Sequence, residues 1–224
     1  ISWTEITPSS STLGGDQWVP FDITVSSNDE NILWAARTSQ YGGGYPNLDG
    51  RQVYKTTDGG NTWGNITTAD LDGESITNIT HQRGTNGGIY IGTRRAVYYK
   101  NNSSINWELF NNNLPLSTPS TKLVPYYKGG VIRNATSRSV YECEFYETAV
   151  PQAQIAADKY KVSCFDTIVY FVDHSALSND NPTWQWSFPG GNPSSSTDQN
   201  PLVSYSSPGS YDVSLTVSDD YGTS

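Results

Sequence analysis

The hydrophobic side chains of this chain lie in short alternating runs, separated by turns rich in Gly, Asn, Asp, Ser and Pro. Runs such as 21–25, 183–188 and 211–217 place an apolar residue at every second position, the spacing of a β-strand with one face towards a core. No segment keeps the spacing of an amphipathic helix over three turns. The pattern therefore predicts an all-β protein.

A Trp-x-x-apolar pattern recurs at Trp3, Trp63 and Trp107 and closes groups of short predicted strands. Two groups and a third, partial one contain the following runs: 21–25, 31–37 and 52–58; 76–79, 88–93 and 96–100; 122–125, 130–136 and 139–145. Three or four strands repeating at roughly 40–60 residues are typical of β-propeller blades, which bury their faces by stacking on their neighbours. Residues 1–146 are therefore predicted to form about three blades of a partial propeller.

The spacing changes after Tyr146. Residues 147–153 read as a linker, and five runs follow it, at 154–157, 167–172, 183–188, 201–205 and 211–218. Five or more short strands in about 70 residues suit an immunoglobulin-like β-sandwich. We predict that 1–146 and 154–224 are separate folding units and that Trp186 and Phe188, on one apolar strand face, fill the core of the second.

The charge of the chain limits its partners. The net charge is −9, and residues 151–224 carry two of the 13 basic and eight of the 22 acidic side chains. The densest basic cluster is the pair Arg94-Arg95, too little to neutralise a nucleic-acid backbone, so nucleic acid is excluded as a partner. The acidic excess is more typical of a solvated surface than of a metal site, and no metal or cofactor is predicted. No run approaches the length of about 20 apolar residues that spans a membrane.

The start of the chain and its two cysteines indicate context rather than chemistry. The chain opens at Ile1 without an initiator Met or a signal-peptide pattern, which predicts a fragment of a larger protein. Cys143 and Cys164 flank the predicted linker and could form a disulfide in an oxidising environment. They could equally be buried thiols, since Cys143 alternates with Tyr141 and Phe145 on an apolar face. The sequence leaves both possibilities open.

The segment 56–63, Thr-Thr-Asp-Gly-Gly-Asn-Thr-Trp, resembles the Asp-box of sialidase-like (BNR-type) and sortilin-like propellers. The fixed positions of that pattern are Thr56, Asp58, Gly60, Thr62 and Trp63. The carboxylate of Asp58 can accept backbone N–H groups within a tight turn, and Gly60 can take a positive φ. The resemblance implies a structural turn on the outer rim, away from any active site.

Two further segments extend the resemblance. The counterpart turn 100–107 lacks the Asp, so a degenerate turn is predicted there, while 133–142 resembles the closing blade of propellers in large exported Bacteroidetes-type proteins. The tail contains the segments 184–191, 198–201 and 208–217, which strongly resemble PKD domains, with Trp186, Phe188 and Tyr211 as core residues. These resemblances imply export to the cell surface or beyond by the type IX route, with a sorting domain after Ser224.

A catalytic constellation is not evident in the sequence. His81 and His174 fall in different predicted domains, outside any metal motif, and are interpreted as surface or turn residues. No spacing singles out the arginine cluster that a sialidase would need. We therefore predict no catalytic residues and a non-catalytic secreted or cell-surface module for binding, adhesion or spacing within a larger multidomain protein. The alternative is an accessory region of a secreted glycoside hydrolase or peptidase.

The most promising binding segment is the loop 39–50, which replaces a turn that needs only Arg94-Arg95 in the next repeat. Tyr41 and Tyr45 offer flat apolar faces, and Asn47 and Asp49 offer hydrogen-bonding groups, a mixture that suits sugar rings. The alternative is a plain glycine-rich loop, or a contact to a neighbouring blade or to the missing part of the ring. The expected partners are a polysaccharide or another extracellular protein, together with the remaining propeller blades and further domains of the same polypeptide.

Overall fold

The computed structural model of the chain describes residues 3–8, 21–37, 52–178 and 181–224. The chain divides into two compact units. The first comprises residues up to 126 and residues 131–147, and the second comprises 127–130 and 148–224. The predicted linker spans this division, and the predicted domain boundaries stay a prediction.

The described residues of the first unit form three antiparallel sheets, each a meander of strands in chain order. The first blade contains β1 (Phe21–Val25), β2 (Leu33–Arg37), β3 (Val53–Thr56) and β4 (Gly64–Asn65). The second contains β5 (Ile76–His81), β6 (Ile89–Thr93), β7 (Val97–Lys100) and β8 (Glu108–Leu109), and the third contains β9 (Ser120–Tyr126), β10 (Val131–Thr136) and β11 (Val140–Glu144). Short 3₁₀ turns lie at Ala69–Leu71 and Tyr127–Gly129. This is a partial β-propeller, as the repeat predicts.

The blades stack through apolar side chains that alternate along their strands. One buried cluster joins the first and second blades and includes Trp34, Val53, Ile79, Ile91 and Trp107. A second cluster joins the second and third blades. It contains Tyr90, Val97, Tyr99, Leu123 and Ile132. A single blade has two apolar faces and cannot bury both alone, so these interfaces stabilise the array.

Polar side chains join the first strands of successive blades. The carboxylate Oδ2 of Asp22 accepts the backbone N–H of Ile79 at 2.9 Å, and the amide Oδ1 of Asn78 accepts the backbone N–H of Leu123 at 3.1 Å. Asp22 and Asn78 therefore occupy equivalent positions in β1 and β5. The same links make Ile79 and Leu123 equivalent to each other, which fixes the register from blade to blade.

The second unit is a sandwich of two four-stranded antiparallel sheets. Its strands are β12 (Ile155–Ala157), β13 (Ile168–Asp173), β14 (Thr183–Ser187), β15 (Gly191–Asn192), β16 (Ser195–Ser196), β17 (Leu202–Tyr205), β18 (Ser214–Asp219) and β19 (Gly222–Thr223). One sheet has the order β12-β13-β17-β15 and the other the order β16-β14-β18-β19. The predicted all-β class, a partial propeller and an immunoglobulin-like sandwich, is confirmed. The two-residue strands β15, β16 and β19 are additions that alternation cannot detect.

The core of the sandwich is aromatic. Trp186 and Phe188 are fully buried, and their rings stack with centroids 5.5 Å apart and planes within 12°. The tilted ring of Phe171 lies 4.9 Å from that of Phe188. Tyr211, predicted for the core, is half-buried at its edge, where its ring stacks on Tyr205 at 5.2 Å.

Residues of the predicted linker bond to both units. The backbone carbonyl of Glu147 accepts the Gln82 side chain at 2.8 Å within the first unit, and Gln152 exchanges two backbone hydrogen bonds with Ala176 within the second. Between them, Val150 is about half exposed. The stretch between these two bonded residues, Glu147 and Gln152, is therefore shorter than the seven residues of the predicted linker.

Limited proteolysis is expected to cut first near Val150. A segment between two compact units is a preferred site of nicking, and the product should include a stable fragment of about 75 residues, within the range of a single domain. Mass spectrometry of the early products identifies the site. Resistance at this position, combined with a single cooperative unfolding transition, would show that the chain folds as one unit.

Candidate functional site

The turn 56–63 is held by the carboxylate of Asp58. Its Oδ1 accepts the Thr56 hydroxyl at 2.7 Å and the Thr62 backbone N–H at 2.8 Å, while Oδ2 accepts the Thr62 hydroxyl at 2.7 Å. Hydrogen bonds from Thr62, and then from Thr56, lower the pKa of Asp58 to about 2. Gly60 has a φ of 95°, and a Cβ there would lie 2.9 Å from the Cβ of Ile6. The carboxylate is fully engaged in fixing the turn.

The counterpart turn of the second blade uses other side chains. The Oδ1 of Asn101 accepts the backbone N–H groups of Ser103 and Ser104 at 2.9 and 3.0 Å. The ammonium of Lys100 donates to the carbonyls of Ser104 and Ile105. The sequence predicts a degenerate turn here, but the turn is well bonded. The amide of Asn101 and the ammonium of Lys100 take the place of the carboxylate that Asp58 supplies in the first blade.

The tryptophan that follows each of these turns is linked to the preceding copy of the Trp-x-x-apolar pattern. The indole N–H of Trp63 donates to the Ile6 carbonyl at 2.8 Å, and that of Trp107 donates to the Ile66 carbonyl at 3.1 Å. Ile6 and Ile66 are both the apolar residue of a Trp-x-x-apolar pattern. Each pattern thus supplies a carbonyl to the tryptophan of the next.

A cleft lies between the second and third blades, within the first unit. Its volume is about 80 Å³, or about 470 Å³ when its open mouth is included. Its wall is mostly apolar and consists of Val97, Phe110, Asn112, Asn113, Leu114, Leu123, Ile132, Asn134, Tyr141, Glu142 and Cys143. A concave apolar wall with a few polar groups is the usual form of a ligand site. This cleft is the candidate functional site.

Asn134 is the polar group buried deepest in that wall, since 5% of its surface is exposed. Its Oδ1 accepts the Ser120 hydroxyl at 2.8 Å, and the Ser120 oxygen accepts the Asn78 side-chain amide at 3.0 Å. These bonds fix the orientation of the Asn134 amide. Its Nδ2 has no hydrogen-bond partner among the described residues, although buried amide groups nearly always have one.

The ionisable groups of the cleft do not indicate catalysis. Burial, and then the charge of Glu144, raise the pKa of the Cys143 thiol. Catalytic cysteines have a lowered pKa, so this thiol is not activated as a nucleophile. Glu142 is paired on the exposed side with Arg133, whose Nε lies 3.2 Å from its Oε2.

The structure accounts for the predicted site residues unequally. The predicted binding residues Tyr41, Tyr45, Asn47 and Asp49 lie outside the described residues. Cys143 and Cys164 are free thiols in the structure, the first half-buried and the second exposed. A disulfide between them stays a prediction. The test is a count of titratable thiols in the denatured, unreduced chain, where two thiols would exclude the disulfide.

The interpretation of His81 as a surface or turn residue is wrong. His81 is buried at the end of β5, where its ring stacks on Trp34 with centroids 5.0 Å apart. Its Nδ1 lies 2.8 Å from the Gly88 carbonyl, the distance of a hydrogen bond from a ring N–H. Burial lowers its pKa below the ordinary value of 6.5. The inter-blade cluster takes this side chain because the neutral ring packs like an aromatic residue.

This burial predicts that the first unit loses stability as the pH falls below about 6.5. In that range His81 binds a proton more readily in the unfolded chain than in the folded chain, so protons favour unfolding, by at most about 1.4 kcal/mol per pH unit. Urea midpoints between pH 7.5 and 5.5 measure the slope. A His81→Gln variant should have a smaller slope for the first unit, and a His174→Gln variant should not, because His174 belongs to the second unit. Equal slopes in all three proteins would contradict the assignment.

A carboxylate also organises the second unit. The Oδ2 of Asp173 accepts the Trp184 indole N–H at 2.8 Å and the Gln199 amide at 3.2 Å, and its Oδ1 accepts the Ser175 N–H at 2.9 Å. Burial alone would raise the pKa of Asp173, but these hydrogen bonds outweigh it and lower the pKa. Like Asp58, this acid has a structural role.

The second unit combines a two-sheet sandwich with a buried Trp186 in its core. Its sequence can be compared with those of known families. Residues 148–224 match the family model of the PKD domain. The predicted resemblance of the tail is therefore confirmed, and the second unit is called the PKD domain below. No curated protein matches the chain.

The solved structures that match the chain share little sequence with it. YCF48 from Cyanidioschyzon merolae is 15% identical with a TM-score of 0.38, and the match covers 70% of this chain and 50% of that one. Two structures of the extracellular domain of BT4673 from B. thetaiotaomicron are 12% and 10% identical, with TM-scores of 0.39 and 0.40. Each match with the latter covers 90% of this chain and 29% of the other, so the chain spans half or less of these proteins.

Sequence reasoning missed the cleft and the side chains that organise it. Asn78, Ser120 and Asn134 are buried polar residues from three different strands, and alternation gives no reason to connect them. One signal was present, because Asn134 interrupts the apolar positions of β10.

Within the described parts of the chain, no group of three or more His, Cys, Asp or Glu side chains is placed to hold a metal ion. The helices described there are too short to span a membrane.

Proposed function

We propose that the chain is a non-catalytic extracellular or cell-surface module that binds partners, or spaces other domains, within a larger secreted protein. The observation that carries this proposal is the PKD-domain match over residues 148–224. The resemblance of its tail and third blade to exported Bacteroidetes-type proteins supports secretion by the type IX route. The resemblance of the turn 56–63 to the Asp-box supports a sialidase-like or sortilin-like origin for the blades.

The use of the ionisable side chains supports a non-catalytic role. Asp58 and Asp173 have lowered pKa values because hydrogen bonds hold them in structural turns, and His81 is packed in a blade interface. The Cys143 thiol has a raised pKa. Catalytic acids, bases and nucleophiles need pKa values suited to proton transfer and access to a substrate, and these four groups lack that combination.

The proposed partner is a polysaccharide or another extracellular protein, and the loop 39–50 is the proposed carbohydrate contact. Aromatic rings pack against the apolar faces of sugars, while short amide and carboxylate side chains bond to hydroxyl groups. Tyr41 and Tyr45 supply the rings, and Asn47 and Asp49 supply the polar groups.

A glycan screen tests this proposal. The unchanged chain is expected to bind at least one glycan class, and a Tyr41→Ala/Tyr45→Ala variant is expected to lose about tenfold or more in affinity because two stacking rings are removed. A Tyr160→Ala/Tyr221→Ala variant is the matched control, since it removes two exposed tyrosines from the PKD domain.

Two results would count against the proposal. Equal binding by the loop variant, or no binding by the unchanged chain, would remove the loop from carbohydrate recognition. Shortened oligosaccharides recovered after incubation would contradict the non-catalytic assignment.

A further inference from the structure

The strand register defines equivalent positions in successive blades. Ile79 in β5 pairs with Ile91 in β6, and its equivalent Leu123 in β9 pairs with Asn134 in β10. Asn134 therefore stands where the second blade has Ile91. By the same register, Tyr141 in β11 is equivalent to Tyr98 in β7, and Ile132 is equivalent to Ile89.

In the interface between the first and second blades, Trp107 fills the space between these positions. It is 3% exposed and belongs to one buried cluster with residues from both blades. The members of that cluster that matter here are Val53, Leu71, Ile79, Ile89, Ile91 and Tyr98, with Ile66 packed against them. Its indole N–H is bonded to the Ile66 carbonyl.

The cleft between the second and third blades has the counterpart wall. Val97 corresponds to Val53 by the strand register. Phe110 corresponds to Ile66, because each donates its backbone N–H to the carbonyl of that valine. Leu114 corresponds to Leu71, because each follows these residues in a turn and donates its N–H to the carbonyl three residues earlier. From the third blade, the wall contains the counterparts of Ile79, Ile89, Ile91 and Tyr98, which are Leu123, Ile132, Asn134 and Tyr141. The cleft thus lies where the preceding interface holds an indole ring.

The outer edge of β11 is suited to receive the strand that would carry such a ring. In the second blade, Tyr98 and Tyr99 of β7 pair with Leu109 and Glu108 of β8, directly after Trp107. Their counterparts in β11 are Tyr141 and Glu142. Among the described residues β11 is an edge strand with β10 on its other side, so its outward N–H and C=O groups are available for pairing.

We propose that the cleft is a socket for the tryptophan side chain of an added strand, supplied by a partner segment with a Trp-x-x-apolar pattern. The strand pairs with β11 as β8 pairs with β7, and its indole enters between the blades. The partner is an extended peptide recognised by β-strand addition, in which main-chain bonds give affinity and a side-chain pocket gives specificity.

The chemistry of the wall supports this occupant. An indole buries a large apolar surface against Val97, Leu123 and Ile132, and the Phe110 carbonyl stands where the Ile66 carbonyl accepts the Trp107 N–H. The unpartnered Nδ2 of Asn134 can donate to an aromatic face, a weak but recurrent contact. A charged occupant would have to leave water for a mostly apolar wall, in which the carboxylate of Glu142 is already paired with Arg133.

Protection of Cys143 from alkylation tests the proposal on the whole chain after reduction. The probe is a peptide with the sequence of residues 104–111, which contains Trp107, and the control peptide carries Trp107→Ala. At a concentration about tenfold above its Kd, the probe should slow the alkylation of Cys143 about tenfold, because only the open cleft reacts. Cys164 is exposed, and its alkylation rate should not change.

A variant of the chain tests the strand pairing separately. Glu142 is the counterpart of Tyr99, so its N–H faces the open edge and Glu142→Pro removes it without removing a bond to β10. Glu142→Ala is the matched control, because both variants lose the ion pair with Arg133. The Pro variant should lose protection by the probe and the Ala variant should keep it. Circular dichroism verifies that both variants are folded. If the Pro variant does not fold, the comparison of the two peptides on the unchanged chain still decides the proposal.

Three outcomes would overturn the proposal. The first is that the probe does not slow the alkylation of Cys143 up to its solubility limit, and the second is that the two peptides slow it equally. The third is that Cys143 is protected without peptide, to a degree that rises with protein concentration and disappears in a Trp3→Ala variant. The last would assign the socket to a second copy of the chain. The glycan screen tests the loop 39–50 and the alkylation experiment tests the cleft. Failure of the alkylation experiment therefore does not decide the proposed function, which the glycan screen tests separately.

Discussion

A Trp107→Ala variant should lose about 3–5 kcal/mol of the stability of the first unit. Trp107 is 3% exposed within the cluster that joins the first two blades, and its indole N–H is bonded to the Ile66 carbonyl. The substitution leaves a cavity between two sheets that depend on each other for burial. Urea unfolding measures the loss as a lower midpoint of the transition assigned to the blades.

A matched control is available at the first copy of the same pattern. Trp3 is fully exposed, so Trp3→Ala should change the stability by no more than about 0.5 kcal/mol. A Trp107→Phe variant should lie between the two, because it keeps part of the packing and loses the bond to Ile66. Equal midpoints for Trp3→Ala and Trp107→Ala would mean that the blade interface does not stabilise the unit.

The sequence predicts the strands of the blades well because each strand is a short run, alternating or mostly apolar, bounded by turn residues. The runs predicted at 21–25, 88–93 and 130–136 coincide to within one residue with β1, β6 and β10. Turn chemistry is less transferable, since the second blade fixes its turn with Asn101 and Lys100 where the first uses Asp58. Different side chains can satisfy the same backbone groups, so a missing Asp does not predict a weak turn.

The candidate site could not be predicted in the same way. The cleft depends on which residues of β7, β10 and β11 face one another, and this follows from the register between separate sheets. The burial of His81 has a similar origin, because its environment comes from Trp34 in the preceding blade. Local patterns decide which residues form a strand, while contacts between blades decide which side chains are buried.

In the PKD domain, Trp186→Ala should cost about 3–5 kcal/mol, a large part of the roughly 5–15 kcal/mol that stabilises a typical domain. Trp186 is fully buried, its indole N–H donates to the Asp198 carbonyl at 2.9 Å, and its ring contacts those of Phe171 and Phe188. Truncation therefore removes the centre of the sandwich and leaves the carbonyl without this donor.

The comparison variant for this prediction is Leu202→Ala in β17, because Leu202 is an exposed apolar residue of the same sandwich and its loss should cost no more than about 0.5 kcal/mol. If the two units fold separately, Trp186→Ala lowers only the transition of the PKD domain and Trp107→Ala lowers only that of the blades. Calorimetry of both variants resolves the two transitions. A parallel decrease of both transitions in either variant would show that the units unfold together, because destabilisation of one element spreads only through a shared cooperative unit.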